Sequence, residues 1–360
     1  MTKKLVIVGG GYLGAQLAQT LEHDLDVTLI EQRDAFVHVP AMIRTIVKPS
    51  MLDTVLLPYE QLLTKGTFVK AKVTKVEEQS VTLEDGTKIS ADYIVIATGS
   101  TNSAFLKPAG TSIDDFRTVV VNLHNKLESA QSVVIVGAGT VGSEMAGEIS
   151  SAMPEKDITL ISSDSTLFSQ LPKKFATSIM SKLKNANIDI KFGVQVTNLE
   201  STSNAYSGAL HLSDGTSIEA DLIIPAVGSR AVSSLVCELP NSAKRKNGQV
   251  DVDAYLRPSA YPNVFCAGDV ANCGDAMTIV AVSRQIPWLT KTFKALAAGK
   301  QLEQLKPYSP WKKAPLFLPL GPSKGNSYLV VGTFGDWVTR KIKGENLFID
   351  KYRKLFRLNP

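Results

Sequence analysis

The chain carries one strand–turn–helix signature twice. Residues 4–14 read KLVIVGGGYLG, and residues 132–142 read SVVIVGAGTVG. A second stretch is doubled as well: residues 80–100, SVTLEDGTKISADYIVIATGS, return as residues 209–229, ALHLSDGTSIEADLIIPAVGS. Each copy opens on a short continuous apolar run, as in a parallel strand buried on both faces, and leads into Gly-x-Gly-x-x-Gly. One such motif says little, because glycine-rich turns are common. Two copies, each with its own following strand and its own Ala-x-Gly-Ser ending, point to two dinucleotide sites in one chain. Two dinucleotides held side by side most simply exchange electrons.

In the first copy Leu5–Val8 reads as the strand and Gly9 and Gly10 as the tight turn. Gly11 lets the backbone approach a pyrophosphate, and Gly14 permits close packing of helix on strand. The helix that begins at Tyr12 and Leu13 aims its positive end at the phosphates. Val27–Ile30 is the second strand and Glu31 ends it, where a carboxylate accepts the ribose hydroxyls of an unphosphorylated adenosine. This half therefore reads as an FAD site. Downstream, residues 36–44 (FVHVPAMIR) offer Arg44 to a phosphate. His38 and Pro40 stand as neighbours of a flavin ring, although His38 reads equally well as a packing histidine.

In the second copy Gly137, Gly139, Val141 and Gly142 repeat the fingerprint after Val133–Val136. Glu144 follows near the helix N-terminus, where it either faces a nicotinamide or stabilises the helix end. Ser162 occupies the position matching Glu31. A serine neither holds the ribose hydroxyls strongly nor repels a 2′-phosphate, so this NAD(P)H site should discriminate weakly between NADH and NADPH.

At 360 residues the chain has room for two or three domains. Its net charge of +5 suits anionic cofactors or an anionic membrane surface and is too small to argue for nucleic acid. Three scattered cysteines (Cys237, Cys266, Cys273) cannot build a disulfide scaffold, which points to a reducing, cytoplasmic setting. Cys266 and Cys273 have no neighbouring histidine, so no metal site is expected. Lys3 and Lys4 precede only four apolar residues before the glycines, too short a run for a signal peptide. No apolar stretch is long enough to span a bilayer.

Three further segments carry a family resemblance. Ile94–Gly99 (IVIATG) and Ile223–Gly228 (IIPAVG) resemble the two crossover strands of the FAD-dependent pyridine nucleotide oxidoreductases, the two-dinucleotide-binding flavoproteins. Asn263–Asp269 (NVFCAGD) resembles that family's second FAD fingerprint, in which Asp269 meets the ribityl chain and Gly268 allows close approach. A helix beginning within Ala276–Ala281 would then turn the amides of Met277 and Thr278 toward the flavin. Residues 316–349 resemble the C-terminal segment of the ferroptosis-suppressor-type NAD(P)H:quinone reductases. That likeness implies FAD contacts at Gly9–Leu13, Arg44, Val73 (backbone to adenine), Thr98, Gly99 and Asp269, with Gly228 on the NAD(P)H side. The group's myristoylation signal needs glycine at position 2, and this chain has Thr2.

The resemblance implies an α/β fold with two Rossmann-like domains and a small C-terminal α+β region. The FAD domain takes residues 1–108 and 246–300, the inserted NAD(P)H domain takes 109–245, and residues 301–360 cover the flavin. Pro108–Gly110 and Lys244–Gly248 read as the crossings. Strands are expected around residues 314–320 and 328–333. Residues 32–50 lack cysteine and no CxxC or CxxxxC occurs, so electrons should leave the flavin directly for a quinone or similar small acceptor. Lys313 and Lys324 are the candidate helpers for its protonation, although both read by default as surface lysines. A reductase of a small iron–sulfur protein and a non-enzymatic, nucleic-acid-binding effector resembling apoptosis-inducing factor are the alternatives; the dispersed basic residues count against the latter. Leu347, Phe348, Tyr352, Leu355 and Phe356 recur at helical spacing among basic residues within 345–358. That helix either lies peripherally on a membrane or packs on its own protein or on a homodimer partner.

Overall fold

A computed structural model describes residues 2–311 and 313–359. Its two main sheets repeat one plan. In the first, the order is Val264–Cys266, Tyr93–Ile96, Lys4–Val8, Asp26–Glu31, Thr67–Lys70, all parallel. In the second, Ile188–Lys191, Asp157–Ile161, Ser132–Val136 and Ser217–Pro225 run parallel, and Tyr206–His211 closes the edge antiparallel. The central strands are buried almost throughout, as continuous Val/Ile/Leu runs require when helices cover both faces.

The duplication reaches individual hydrogen bonds. Gly9 N–H donates to Ile30 (2.8 Å) and Gly137 N–H to Ile161 (2.9 Å). Ala97 N–H donates to Val8 (2.8 Å) and Ala226 N–H to Val136 (2.7 Å). One difference separates the copies. The first keeps its meander, Val73–Glu77, Ser80–Leu83 and Lys88–Ser90, as a separate antiparallel sheet, whereas the second fuses its hairpin to the crossover strand Ser217–Pro225. The two Ala-x-Gly-Ser ends meet in a short ribbon, Ser100 opposite Ala231 and Thr101 opposite Arg230, which joins the halves.

A third, antiparallel sheet follows: Leu316–Leu320, Lys324–Leu329 and Gly332–Phe334. It lies on the second loop helix, Thr140–Ala152, at Gly147, where a Cβ would come within 2.5 Å of the Leu320 Cα. The absent side chain is what lets strand and helix touch. Beyond it come a π turn, Arg340–Gly344, and a short helix, Ile349–Leu355. The tail does not face outward. Leu347, Tyr352 and Phe356 are buried, and Tyr352 and Phe356 pack among Tyr12, Phe36 and Tyr59. Of the two uses left open for residues 345–358, the structure takes packing on the protein itself, because this aromatic floor already buries the helix's apolar side. Among the described residues, no helix is long and apolar enough to cross a membrane.

Candidate functional site

The two glycine loops are built alike. Gly9 and Gly137 sit at φ +108° and +112°, a region side chains avoid. A Cβ on Gly14 would stand 1.9 Å from the Gly9 carbonyl oxygen, and one on Gly142 1.9 Å from that of Gly137. Glycine at these positions lets each helix start directly against its strand. A Cβ on Gly11 or Gly139 would meet nothing within 4 Å, and each glycine is a helix N-cap without side-chain cap or acidic first turn. Open space in front of uncapped amides is the environment a pyrophosphate takes, so both loops fit a dinucleotide. The Tyr59 hydroxyl donates to the Gly10 carbonyl (2.8 Å) and fixes the first loop from behind.

Around the first loop the structure gathers several expected residues and adds others. Glu31 accepts from Gly10 N–H (2.8 Å) and from the Arg33 guanidinium (3.1 Å). Arg33 also donates to the carbonyls of Pro108 (2.9 Å) and Gly110 (3.0 Å), so the ribose carboxylate is tied to the crossing between the sheets. Val73 opens the strand just past Ala71, whose N–H donates to the Glu31 carbonyl. The Thr98 hydroxyl donates to the Val232 carbonyl (2.5 Å), and Gly99 accepts from Val232 N–H (2.9 Å). Asp269 accepts from the Ser100 hydroxyl (2.6 Å) with Lys107 at 3.6 Å. Burial holds Lys107 below its ordinary lysine value, and the Asp269 charge opposes that shift. Arg33 and Lys107 gave no sequence signal beyond proximity to Glu31 and to the crossing.

The helix after Asp269 begins at Ile279, inside the expected Ala276–Ala281 stretch. Thr278 is its N-cap: its hydroxyl accepts from Ala281 N–H (3.2 Å) and its own amide donates to Ala276 (2.8 Å). This corrects the expectation for Thr278, whose amide is already bonded within the loop. The first-turn amides left without an intrahelical partner are those of Ile279 and Val280.

The second loop helix carries two paired carboxylates. Glu144 and Glu148, one turn apart, are both buried. Glu144 accepts from Lys343 Nζ at 2.5 Å, and Lys343 also donates to the Phe317 carbonyl (3.3 Å). Burial raises the Glu144 carboxyl above its usual range, with the Lys343 charge pulling the other way. Phe317 and Phe348 meet edge to face at 6.3 Å beside this pair. Val141 and Gly142 begin the same helix, and Gly228 lies in the crossover loop at φ +101°. Ser162 is buried at the end of its strand, its hydroxyl accepting from Asp164 N–H (3.2 Å). Lys191 stands in register beside Ile161, so a lysine borders that position.

Arg44 does not wait for a phosphate. Its Nε and Nη2 donate to Glu148 (2.9 and 2.7 Å), Nη2 also to the Gly344 carbonyl (2.7 Å), and Nη1 to the Glu345 carbonyl (3.2 Å). The reason is Glu148 itself, since a buried carboxylate requires a cation. His38 is held similarly. Its Nε2 lies 2.7 Å from the Leu347 carbonyl, which can only accept, so Nε2 carries the proton and Nδ1 accepts from the Tyr12 hydroxyl (3.0 Å). Burial takes its pKa down to about 4. His38 and Arg44 together thus fasten the tail through three carbonyls. The two lysine candidates lie where the surface reading put them. Lys324 borders an open groove with Lys173, Lys174 and Lys182, Lys313 is exposed in a loop, and Lys343 is the lysine beside the loop helix.

The comparison with known proteins matches this geometry. The family model described as pyridine nucleotide-disulphide oxidoreductase aligns with residues 3–287. The chain belongs to that family. Among its relatives, apoptosis-inducing factor homolog A of Dictyostelium discoideum is 30% identical, covering 99% of this chain and 92% of its own. Human ferroptosis suppressor protein 1 is 26% identical, covering 99% and 96%. The sulfide:quinone oxidoreductase of Aquifex aeolicus superposes with a TM-score of 0.78 at 18% identity, over 99% of this chain and 91% of that one. This pyridine nucleotide oxidoreductase is accordingly a flavoprotein enzyme that uses FAD with NAD(P)H, of the branch that includes the ferroptosis suppressor proteins.

Proposed function

We propose that this oxidoreductase passes electrons from NAD(P)H, through FAD, to a quinone-type acceptor without a redox disulfide. The observation that carries the reading is the buried Glu144–Lys343 pair on the second loop helix, edged by Phe317 and Phe348 and lacking a thiol among its contacts. Aromatic edges suit a flat, apolar acceptor, and the ammonium suits its oxygen. The cysteines lie elsewhere and are poorly poised. Burial pushes the Cys273 thiol up to about 11 and Cys266 higher still, so neither offers a thiolate near neutral pH.

When bound, FAD supplies the hydride acceptor and the two-electron store. The chain supplies placement and charge. The Gly9–Gly14 and Gly137–Gly142 loops seat the two pyrophosphates, Glu31 takes the adenosine ribose, and Asp269, oriented by Ser100, stands for the ribityl chain. The Ile279 and Val280 amides favour negative charge at their helix end. Lys343 Nζ, bonded to Glu144 Oε1, offers a positive charge and a hydrogen-bond donor to an acceptor oxygen.

Anaerobic stopped-flow tests the reading. Reduction by NADH or NADPH should be followed by fast reoxidation with a short-chain quinone and slow reoxidation with a ferredoxin; the reverse order would sink it. Ser162→Glu should shift the ratio of kcat/KM values about tenfold toward NADH by repelling the 2′-phosphate. An unchanged ratio would remove Ser162 from the nucleotide site.

A further inference from the structure

Three large apolar side chains stand far into solvent within eight residues of chain: Val330 (67% exposed), Val331 (86%) and Trp337 (74%). Val330–Val331 is the two-residue tip of a hairpin whose last pair is Leu329 with Gly332. Such tips ordinarily hold Asn, Asp or Gly, so two β-branched residues have no local reason to be there. Trp337 lies on the helix Asp336–Thr339, tied back along the same strand. Asp336 accepts from Gly325 N–H (2.8 Å), and the Thr339 and Ser327 hydroxyls are bonded (2.8 Å). Ser327 is about 10 Å of strand from the tip, so tip and tryptophan belong to one small sheet.

Basic residues accompany these side chains. Residues 324–345 hold Lys324, Arg340, Lys341 and Lys343 against Asp336 and Glu345, a net +2. Thr339 is buried, whereas Arg340 and Lys341, three and four residues after Trp337, share its outer side and are about half exposed. Their partner Glu345 is itself exposed, and surface pairing of that kind leaves the cations free to meet other anions. We propose that the Val330–Val331 tip and Trp337 dock the protein reversibly on an anionic lipid bilayer. Valines enter the acyl boundary, the indole sits at headgroup level, and the basic residues meet lipid phosphates. Phe317, whose carbonyl binds Lys343, pairs with Ser327 on this sheet, so docking brings the acceptor site beside the membrane. Only that last step rests on the quinone reading.

The flavin-loaded full chain is sedimented with phosphatidylcholine vesicles and with phosphatidylcholine–phosphatidylserine vesicles, without substrate. Expected is binding to the anionic vesicles that weakens with salt, and binding about tenfold weaker in V330S/V331S and in W337S. Turnover of a water-soluble quinone should be unchanged in both variants, which shows that the fold is intact. Absence of binding at low salt, or equal binding by the variants, overturns the proposal. So does a wild-type dimer that V330S/V331S splits into monomers, since the tip would then serve a second copy. Vesicle binding by an enzyme that rejects quinones would leave this inference standing and defeat the acceptor reading alone.

Discussion

Arg44 illustrates how a buried charge shapes the site. Removing it strands Glu148 without a cation, so Arg44→Met should destabilise the protein by about 3–5 kcal/mol in denaturant unfolding. The double variant R44M/E148M should recover most of that loss, because neither charge is then left unpaired. Equal loss of flavin in single and double variants would instead assign Arg44 to a phosphate. His38 makes a pH prediction. Its folded pKa lies near 4, against 6.5 for the free side chain. Above pH 6.5 the ring is neutral folded or unfolded; as pH falls from 6.5 toward 4, the unfolded chain takes a proton that the fold refuses. The resulting loss, about 3 kcal/mol in full, should appear as a steeper fall of Tm below pH 6.5 in the wild type than in His38→Gln.

At the scale of elements, the glycines of one loop separate folding from binding. Gly14→Ala places a Cβ on the Gly9 carbonyl, so helix and strand must part, at about 3 kcal/mol or more. Gly11→Ala meets no protein atom and should leave apoprotein stability within about 0.5 kcal/mol while lowering the flavin retained on purification. Equal effects of the two substitutions on denaturant unfolding would deny the cradle. These loops were legible in the sequence because the backbone geometry itself demands glycine. The start of the helix at Ile279 was less so, since Ala276–Ala281 offered several starts and only the Thr278 cap in the packed loop selects one. The π turn at Arg340–Gly344 left no periodic trace. At and beyond its end, Arg44 and His38, roughly three hundred residues earlier, hold the carbonyls of Gly344, Glu345 and Leu347.

Across the whole molecule, the tail closes over aromatic residues of the first domain. Phe356 is fully buried against Phe36 and Tyr59, so Phe356→Ala should cost about 3–5 kcal/mol in unfolding. A value under about 1 kcal/mol would mean that the tail adds little to the fold. Helical spacing of Tyr352 and Phe356 announced an apolar face in the sequence but not what it faces, because periodicity records only that a surface is to be covered. By itself, the sequence determined the doubled strand–turn–helix units, the two nucleotide cradles and the absence of a cysteine pair after the first helix. These are properties of local backbone geometry and composition, written in adjacent residues. Only the tertiary structure decided that Arg44 meets Glu148, that Lys343 rather than Lys313 or Lys324 stands beside Glu144, and that the tail turns inward. Each joins residues between about one hundred and three hundred positions apart, and charge pairing at that range is set by which surfaces exclude water together.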